Sequence, residues 1–238
     1  MSVTPDFTGQ IYKDSATGNL WRANSLTAGD WTLELQNAQM KWLPTSVNLT
    51  ESFGIQSQAG TVAPTEMTFL QTEFIQDVII NSTSVTAIRF PNLVNVDPDY
   101  WWGASLKVDS CTAMTVLELP LLVKLGSGSL EGNACTSLVT LDLPSLTTVA
   151  ERVSFASCSS LTTVSCPSYL PTNGKHQIFQ TCNLSAASVN HILARCVANP
   201  GYVSGEVHLN DGTNASPTGQ GVTDKATLIG RGVVVTTN

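Results

Sequence analysis

The stretch Cys135-Thr-Ser-Leu138-Val-Thr-Leu141-Asp-Leu143-Pro144 is echoed further along by Cys158-Ser-Ser-Leu161-Thr-Thr-Val164-Ser-Cys166-Pro167. Working outward, Cys111, Cys135, Cys158 and Cys182 follow one another at a nearly constant spacing of about 24 residues, within the range that marks a solenoid or array. Pro120, Pro144 and Pro167 each lie nine positions after a cysteine, and Pro91 lies nine after Ser82, so Ser82 fills the cysteine slot of an earlier turn. On this register the apolar residues fall into columns: Val85, Met114, Leu138, Leu161; Ile88, Leu117, Leu141, Val164; Phe90, Leu119, Leu143, Cys166; Leu93, Leu122, Leu146, Tyr169; and Val96, Leu125, Val149. No turn can bury its apolar face alone, but stacked turns bury a continuous row.

The spacing L-x-x-L-x-L matches the strand segment of a leucine-rich repeat, and its final alternation suits a strand with one face inward. The run Phe155-Ala-Ser-Cys158-Ser-Ser-Leu161-Thr-Thr-Val164-Ser-Cys166-Pro167 resembles the phrase aromatic-x-x-Cys-x-x-Leu-x-x-Ile-x-Leu-Pro of BspA-like leucine-rich-repeat proteins. The resemblance covers residues 74–182 and departs from the aromatic slot at Val108 and Gly132. The fold expected is mainly β with some α: a leucine-rich-repeat solenoid of 23–24-residue coils at 67–182, a small N-terminal β-hairpin unit at 1–43, a linker or arm at 44–66, and a helix–strand–helix–strand C-terminal cap at 183–238. The repeated cysteines are expected as small, buried, reduced thiols, because equivalent atoms of neighbouring turns lie about 4.8 Å apart, too far for the usual disulfide geometry.

Composition sets the surface. The 238 residues carry 11 basic and 18 acidic side chains, a formal net charge of −7, while 29 Thr and 24 Ser outnumber all charges together. Charged residues make up 12%, half the roughly 25% of an ordinary soluble domain. A hydrophobic content of 42% excludes a disordered chain, the acidic balance argues against a nucleic-acid partner, and no apolar run approaches the roughly 20 residues of a membrane span. The first residues lack a basic segment followed by an apolar one, so no secretory signal is expected.

Two groups of residues are candidate partner contacts. Arg89, Glu118 and Asp142 occupy one outward position of successive strands, with Arg89 expected beside Glu118 as a surface ion pair. Around them, Thr86, Thr115, Val139, Thr162 and Ala87, Val116, Thr140, Thr163 are expected to face outward. The second group, Asp97, Asp99, Tyr100, Trp101 and Trp102, lies in the stretch Asn95–Gly103, where about five residues are inserted, since solenoid insertions map to loops on one face, often the binding face. Its aromatics suit a sugar ring or a protein partner, or else they cover the end of the solenoid or pack on the segment 1–60. Asp97 and Asp99 are two carboxylates, too few to define a calcium site, and no metal or cofactor is expected.

At the chain ends, Gly9–Asp14, Asn19–Ala23 and Trp31–Leu35 read as short strands separated by turn signals. Ser185 is expected to cap a helix with Val189, Ile192, Leu193 and Cys196 on one face, Gly205–Leu209 to form a strand, Thr223 to cap a second helix, and Val233–Thr237 to form the last strand. Both end segments are similar to segments of phage tail, fibre and repeat proteins. His176, His191 and His208 sit in unrelated contexts; Glu206 and His208 share a strand face without a third partner, and no strained-elbow, CxxC or HExxH motif occurs. A non-enzymatic contact protein is therefore expected. The first expectation is a phage virion component, made in the host cytoplasm and acting as a homo-oligomer or part of a larger complex. Its partners would be neighbouring proteins and a host-surface protein or glycan, with no membrane insertion. The alternative is a bacterial cell-surface leucine-rich-repeat adhesin.

Overall fold

The structure is a computed structural model that describes residues 78–96 and 105–238, and before them the strands at 11–13, 20–23, 31–35, 53–56, 66–68 and 74–75. Strands β1 (Ile11–Lys13), β2 (Leu20–Ala23) and β3 (Trp31–Leu35) make an antiparallel sheet of their own, with Tyr12 opposite Trp21 and Ala23 opposite Trp31.

From Phe53 the chain repeats a three-strand turn: β4 (Phe53–Gln56), β5 (Glu66–Thr68), β6 (Phe74–Ile75); β7 (Val78–Asn81), β8 (Ala87–Arg89), β9 (Asn95–Val96); β10 (Leu106–Lys107), β11 (Val116–Glu118), β12 (Lys124–Leu125); β13 (Leu130–Glu131), β14 (Thr140–Asp142), β15 (Thr148–Val149). The next turn keeps β16 (Arg152–Ser154) and β17 (Thr163–Ser165). Then β18 (Lys175–Ile178) is followed by helix α1 (Ala186–Ala198), β19 (Gly205–Leu209) by helix α2 (Gln220–Gly230), and β20 (Val234–Thr237) ends the series. The first strands pair in parallel as β4-β7-β10-β13-β16-β18-β19-β20, the second as β5-β8-β11 and β14-β17, and the third as β6-β9-β12-β15. The chain is thus mainly β with some helix, and the repeating part is built from parallel sheets.

Pairing follows the sequence period. Leu106, Leu130, Val153 and Gln177 stand side by side, each paired with the residue in the same slot of the next turn. Val96 and Leu125 are register partners although the interval of sequence between them is longer than in the following turns. Stacking also reaches into the stretch expected as a linker or arm: β4, at 53–56, pairs with β7 along Phe53↔Val78 to Gln56↔Asn81, and Glu66 opens β5. The Ser, Thr, Gly and Gln content there suggested a loop, but parallel pairing to an existing sheet edge outweighs weak local propensity.

Every residue of the apolar columns is buried, and they join one core with Val78, Ile80, Leu106, Leu130 and Val153 from the first sheet. Burying each Leu or Val contributes about 1.5–3 kcal/mol, and each column repeats that gain once per turn. The cysteine column lies at the corner between first and second strands. Cys135, Cys158 and Cys182 each donate S–H to a carbonyl one turn back (Val108, Gly132 and Phe155) at 3.0 Å, and Cys111 reaches Ile80 O at 3.6 Å. Ser110, Ala134, Ser157 and Thr181, each just before a cysteine, have φ between 57° and 59°, the left-handed bend that turns the chain into the corner. Asp211 repeats this at 63°, and Gly212 then takes the cysteine slot against Cys182, where a Cβ would lie 2.6 Å from the Cys182 carbonyl oxygen. The missing aromatic at Gly132 has a cause one turn on: the Phe155 ring fills the space a Cβ of Gly132 would need, and that ring stacks on Phe179 with centroids 6.2 Å apart.

The cap of α1 follows the sequence expectation, with Ser185 Oγ accepting from Ser188 N and Val189, Ile192, Leu193 and Cys196 buried. For α2 the expectation of a Thr223 cap is corrected. The helix starts a turn earlier after Gly219, whose φ of 51° suits glycine, and Thr223 lies inside it, its carbonyl accepting from Thr227 Oγ1.

Candidate interaction faces

The second-strand face carries the sequence-derived candidates. Arg89 sits between two carboxylates, with Nη1 3.1 Å from Glu66 and Nε 3.3 Å from Glu118. The expected Arg89–Glu118 pair is present, and Glu66 joins it through the β5–β8 register. Asp142 is exposed one turn on, in register with Ser165, but the sheet splits between β11 and β14. Asp97, Asp99, Tyr100, Trp101 and Trp102 lie outside the described residues. Ala87, expected outward, is buried: it stands between Glu66 and Val116 in register, and its single carbon does not reach past them.

Hydroxyls on and beside this face are turned toward the chain itself. Thr115 Oγ1 donates to Thr86 O at 3.2 Å, Thr162 to Val139 O at 3.3 Å, Thr147 to Val123 O at 2.9 Å, and Ser145 to Pro120 O at 2.7 Å, each one turn back. A short hydroxyl can reach a neighbouring turn's carbonyl without burying a charge, which gives these positions a use for Ser or Thr.

The end of this face is closed by α1. The Val164 N–H donates to Ser188 Oγ and the Cys166 N–H to His191 Nε2, both at 3.0 Å. Thr162 O accepts from the Ser185 N–H and from Ser188 Oγ, also at 3.0 Å. Further along, Arg195 Nε donates to Tyr169 O and Asn199 Nδ2 to Pro171 O. A polar stripe of the helix thus takes up the backbone groups that another strand would have paired. Because His191 Nε2 accepts, its ring is neutral, and burial followed by the Arg195 charge holds its pKa below the usual imidazole range.

The first-strand sheet carries a row of ion pairs. Glu131 is 4% exposed, with Lys107 Nζ at 3.4 Å and Arg152 Nη2 at 3.1 Å, and Lys175 lies 3.5 Å from Glu151. Glu206, expected to share a face with His208 alone, has company from two more strands. His208 Nε2 is 3.0 Å from Glu206 Oε2, His208 Nδ1 is 3.0 Å from Thr236 Oγ1 on β20, and His176 Nδ1 on β18 is 3.3 Å from the same Glu206 oxygen without hydrogen-bond alignment. The His208 bond, and after it the nearness of His176, hold the Glu206 carboxyl below its usual range. The sequence signal that could have found these partners is the cap's wider register, which sets His176 beside Glu206 and His208 beside Thr236 at a longer spacing than the repeat.

A cavity of about 10 Å³ lies between β14, β17 and α1, lined by Leu141, Val164, Cys166, Ile192, Arg195 and Cys196. That is about the space of a single water. Burial pushes the Cys166 thiol up to about 12 and raises Cys196 as well, so neither is a nucleophilic thiolate near neutrality. Among the described residues, no group of three or more His, Cys, Asp or Glu could hold a metal ion, and no helix is long and apolar enough to cross a membrane. No protein-family model, curated protein or solved structure matches the chain.

Proposed function

We propose that the chain is a leucine-rich-repeat solenoid that works as a non-enzymatic contact protein, and that its place is in a phage virion, as a tail, fibre or capsid-surface component. The L-x-x-L-x-L columns and parallel pairing at the sequence period support the repeat class. The observation that carries the contact role is the use of the surface groups. Hydroxyls donate to the chain's own carbonyls and Arg89 and Glu131 are paired, which leaves broad sheet faces of low net charge suited to neighbouring subunits. The raised thiols of Cys166 and Cys196 and the engaged rings of His191 and His208 support the non-enzymatic reading. The phage-like end segments support the virion.

Mass spectrometry of purified particles together with native mass spectrometry of the isolated chain tests the proposal. The expected result is a stoichiometric virion band and an oligomer; absence from particles combined with a strict monomer overturns it. The BspA-like phrase favours a surface adhesin as the second reading, in which Trp101 and Trp102 stack on sugar. A glycan-array signal abolished by Trp101→Ala supports that reading, and a signal unchanged by it removes the stacking role.

A further inference from the structure

Sheet edges are treated differently at the two ends of the C-terminal block. The second-strand edge at β17 is closed by side chains of α1. The first-strand sheet instead ends in β20, an uncharged strand whose Val234 is 52% exposed, and β20 is fastened along its outer side by one directed chain of hydrogen bonds.

The direction of that chain follows from its ends. Asn210 Nδ2 donates to the Asp211 carboxylate at 2.6 Å, which turns Asn210 Oδ1 toward Thr236. Thr236 Oγ1 spends its only proton on that oxygen at 2.6 Å, so it can only accept from His208 Nδ1. The other ring nitrogen faces the Glu206 carboxylate at 3.0 Å, where a lone pair would be repelled and an N–H is required. Both nitrogens of His208 thus face acceptors, Thr236 Oγ1 and the Glu206 carboxylate.

We propose that the His208 imidazolium is a proton-dependent latch that fastens β20 onto the end of the sheet. Loss of one ring proton leaves a single N–H for two acceptors; the charged Glu206 carboxylate keeps it at Nε2, so the Nδ1–Thr236 bond to the last strand is given up and β20 loosens. The charged and titratable groups around the ring are Glu206 on its own strand, His176 and Lys175 on β18, Arg152 in register with His176 on β16, Glu151 paired with Lys175, Asp211 at the corner, and Lys225 of α2, which donates to Thr237 Oγ1 at 2.7 Å. Among them, only Glu206 touches a His208 nitrogen in the described contacts. The depressed Glu206 carboxyl agrees with a charged neighbour. The latch stands whether or not the chain belongs to a virion.

Amide hydrogen exchange of Val234–Thr237, corrected for intrinsic pH dependence, tests it. The expected result is exchange about fivefold faster at pH 8.5 than at pH 5.5, the loss of one partly exposed charge-assisted bond, while Leu106 and Leu130 amides are unchanged. In Glu206→Gln the side-chain amide can donate to a neutral ring, which then keeps its Nδ1–H for Thr236, so β20 stays protected at both pH values. Equal protection at both pH values in the natural chain overturns the latch, as does an unaltered pH dependence in Glu206→Gln. Ring ¹⁵N shifts of His208 give a reading independent of any variant: two protonated nitrogens at pH 5.5 support it, and a neutral ring there overturns it.

Discussion

In the turns between residues 105 and 182, one slot does one job repeatedly. A thiol donates to the carbonyl one turn back, a hydroxyl does the same on the next side, and Leu138 stands where Leu161 stands a turn later. After residue 183 the polar side chains take roles that do not recur from turn to turn. Ser188 serves the Val164 N–H of β17 and His191 the Cys166 N–H just past it, and Asn214 accepts from Leu184 N while donating to Phe179 O and Leu209 O. Arg231 Nη1 takes the Val197 and Asn199 carbonyls at the end of α1. The difference has a simple origin. Within the stack, a turn's backbone groups are met by the next turn, whereas the last turns have no successor, and side chains must supply what a strand would have supplied. The repeat is consequently expected to tolerate exchange of like for like, and the terminal block to resist it.

The largest expected effect is in the terminal block. Asn214→Leu keeps the volume but abandons three buried backbone partners, and should cost about 4 kcal/mol in urea unfolding. A loss below about 1 kcal/mol would erase the contrast between the regions. In the repeat, Phe155→Ala removes the ring that fills the space over Gly132, at a cost of about 3–4 kcal/mol, and Phe155→Leu should recover much of it because only volume is needed there. Ser188→Ala leaves the Val164 N–H without its acceptor and should cost about 2 kcal/mol, against less than about 1.5 kcal/mol for Leu146→Met in the stack. Thr181→Gly should stabilise by about 1 kcal/mol, since a β-branched residue at φ 59° is strained and glycine is not; an unchanged or lower melting temperature would contradict this.

The smallest effect concerns two histidines with opposite requirements. His191 accepts at Nε2 and is needed neutral, so its folded pKa lies below the ordinary 6.5. The unfolded chain then binds the proton first on acidification. The His191 contribution is complete above about pH 6.5 and is lost as pH falls through the lower folded value. Urea midpoints between pH 7 and 5 should therefore fall less in His191→Gln, whose carbonyl oxygen can accept without titrating. Local exchange at β20 should run the other way, governed by the His208 proton.

Much of the stack was legible in the residues. The columns, the buried cysteine slot, the Arg89–Glu118 pair, the Ser185 cap and the strand at Gly205–Leu209 were read from spacing, because each is repeated or carries a local signal. The strand at 53–56 was not, since its pairing comes from a neighbouring turn rather than its own composition. The start of α2 was missed because Thr223 is a good cap in isolation, while Gly219 and the Asn190 side chain, which bonds Thr218, set the entry from outside the helix. Asn214 carries no repeated spacing of its own, and its three buried partners appear only in the fold.

By itself the sequence determined the period, the inward columns and the low charge of the surface, because a stacked turn repeats its own chemical demands at a constant spacing. Only the tertiary structure decided how the stack ends: a helix on one edge, a latched strand on the other, and a third partner for Glu206 and His208. Those contacts join residues a full turn apart in turns of unequal length, where no repeated spacing announces them.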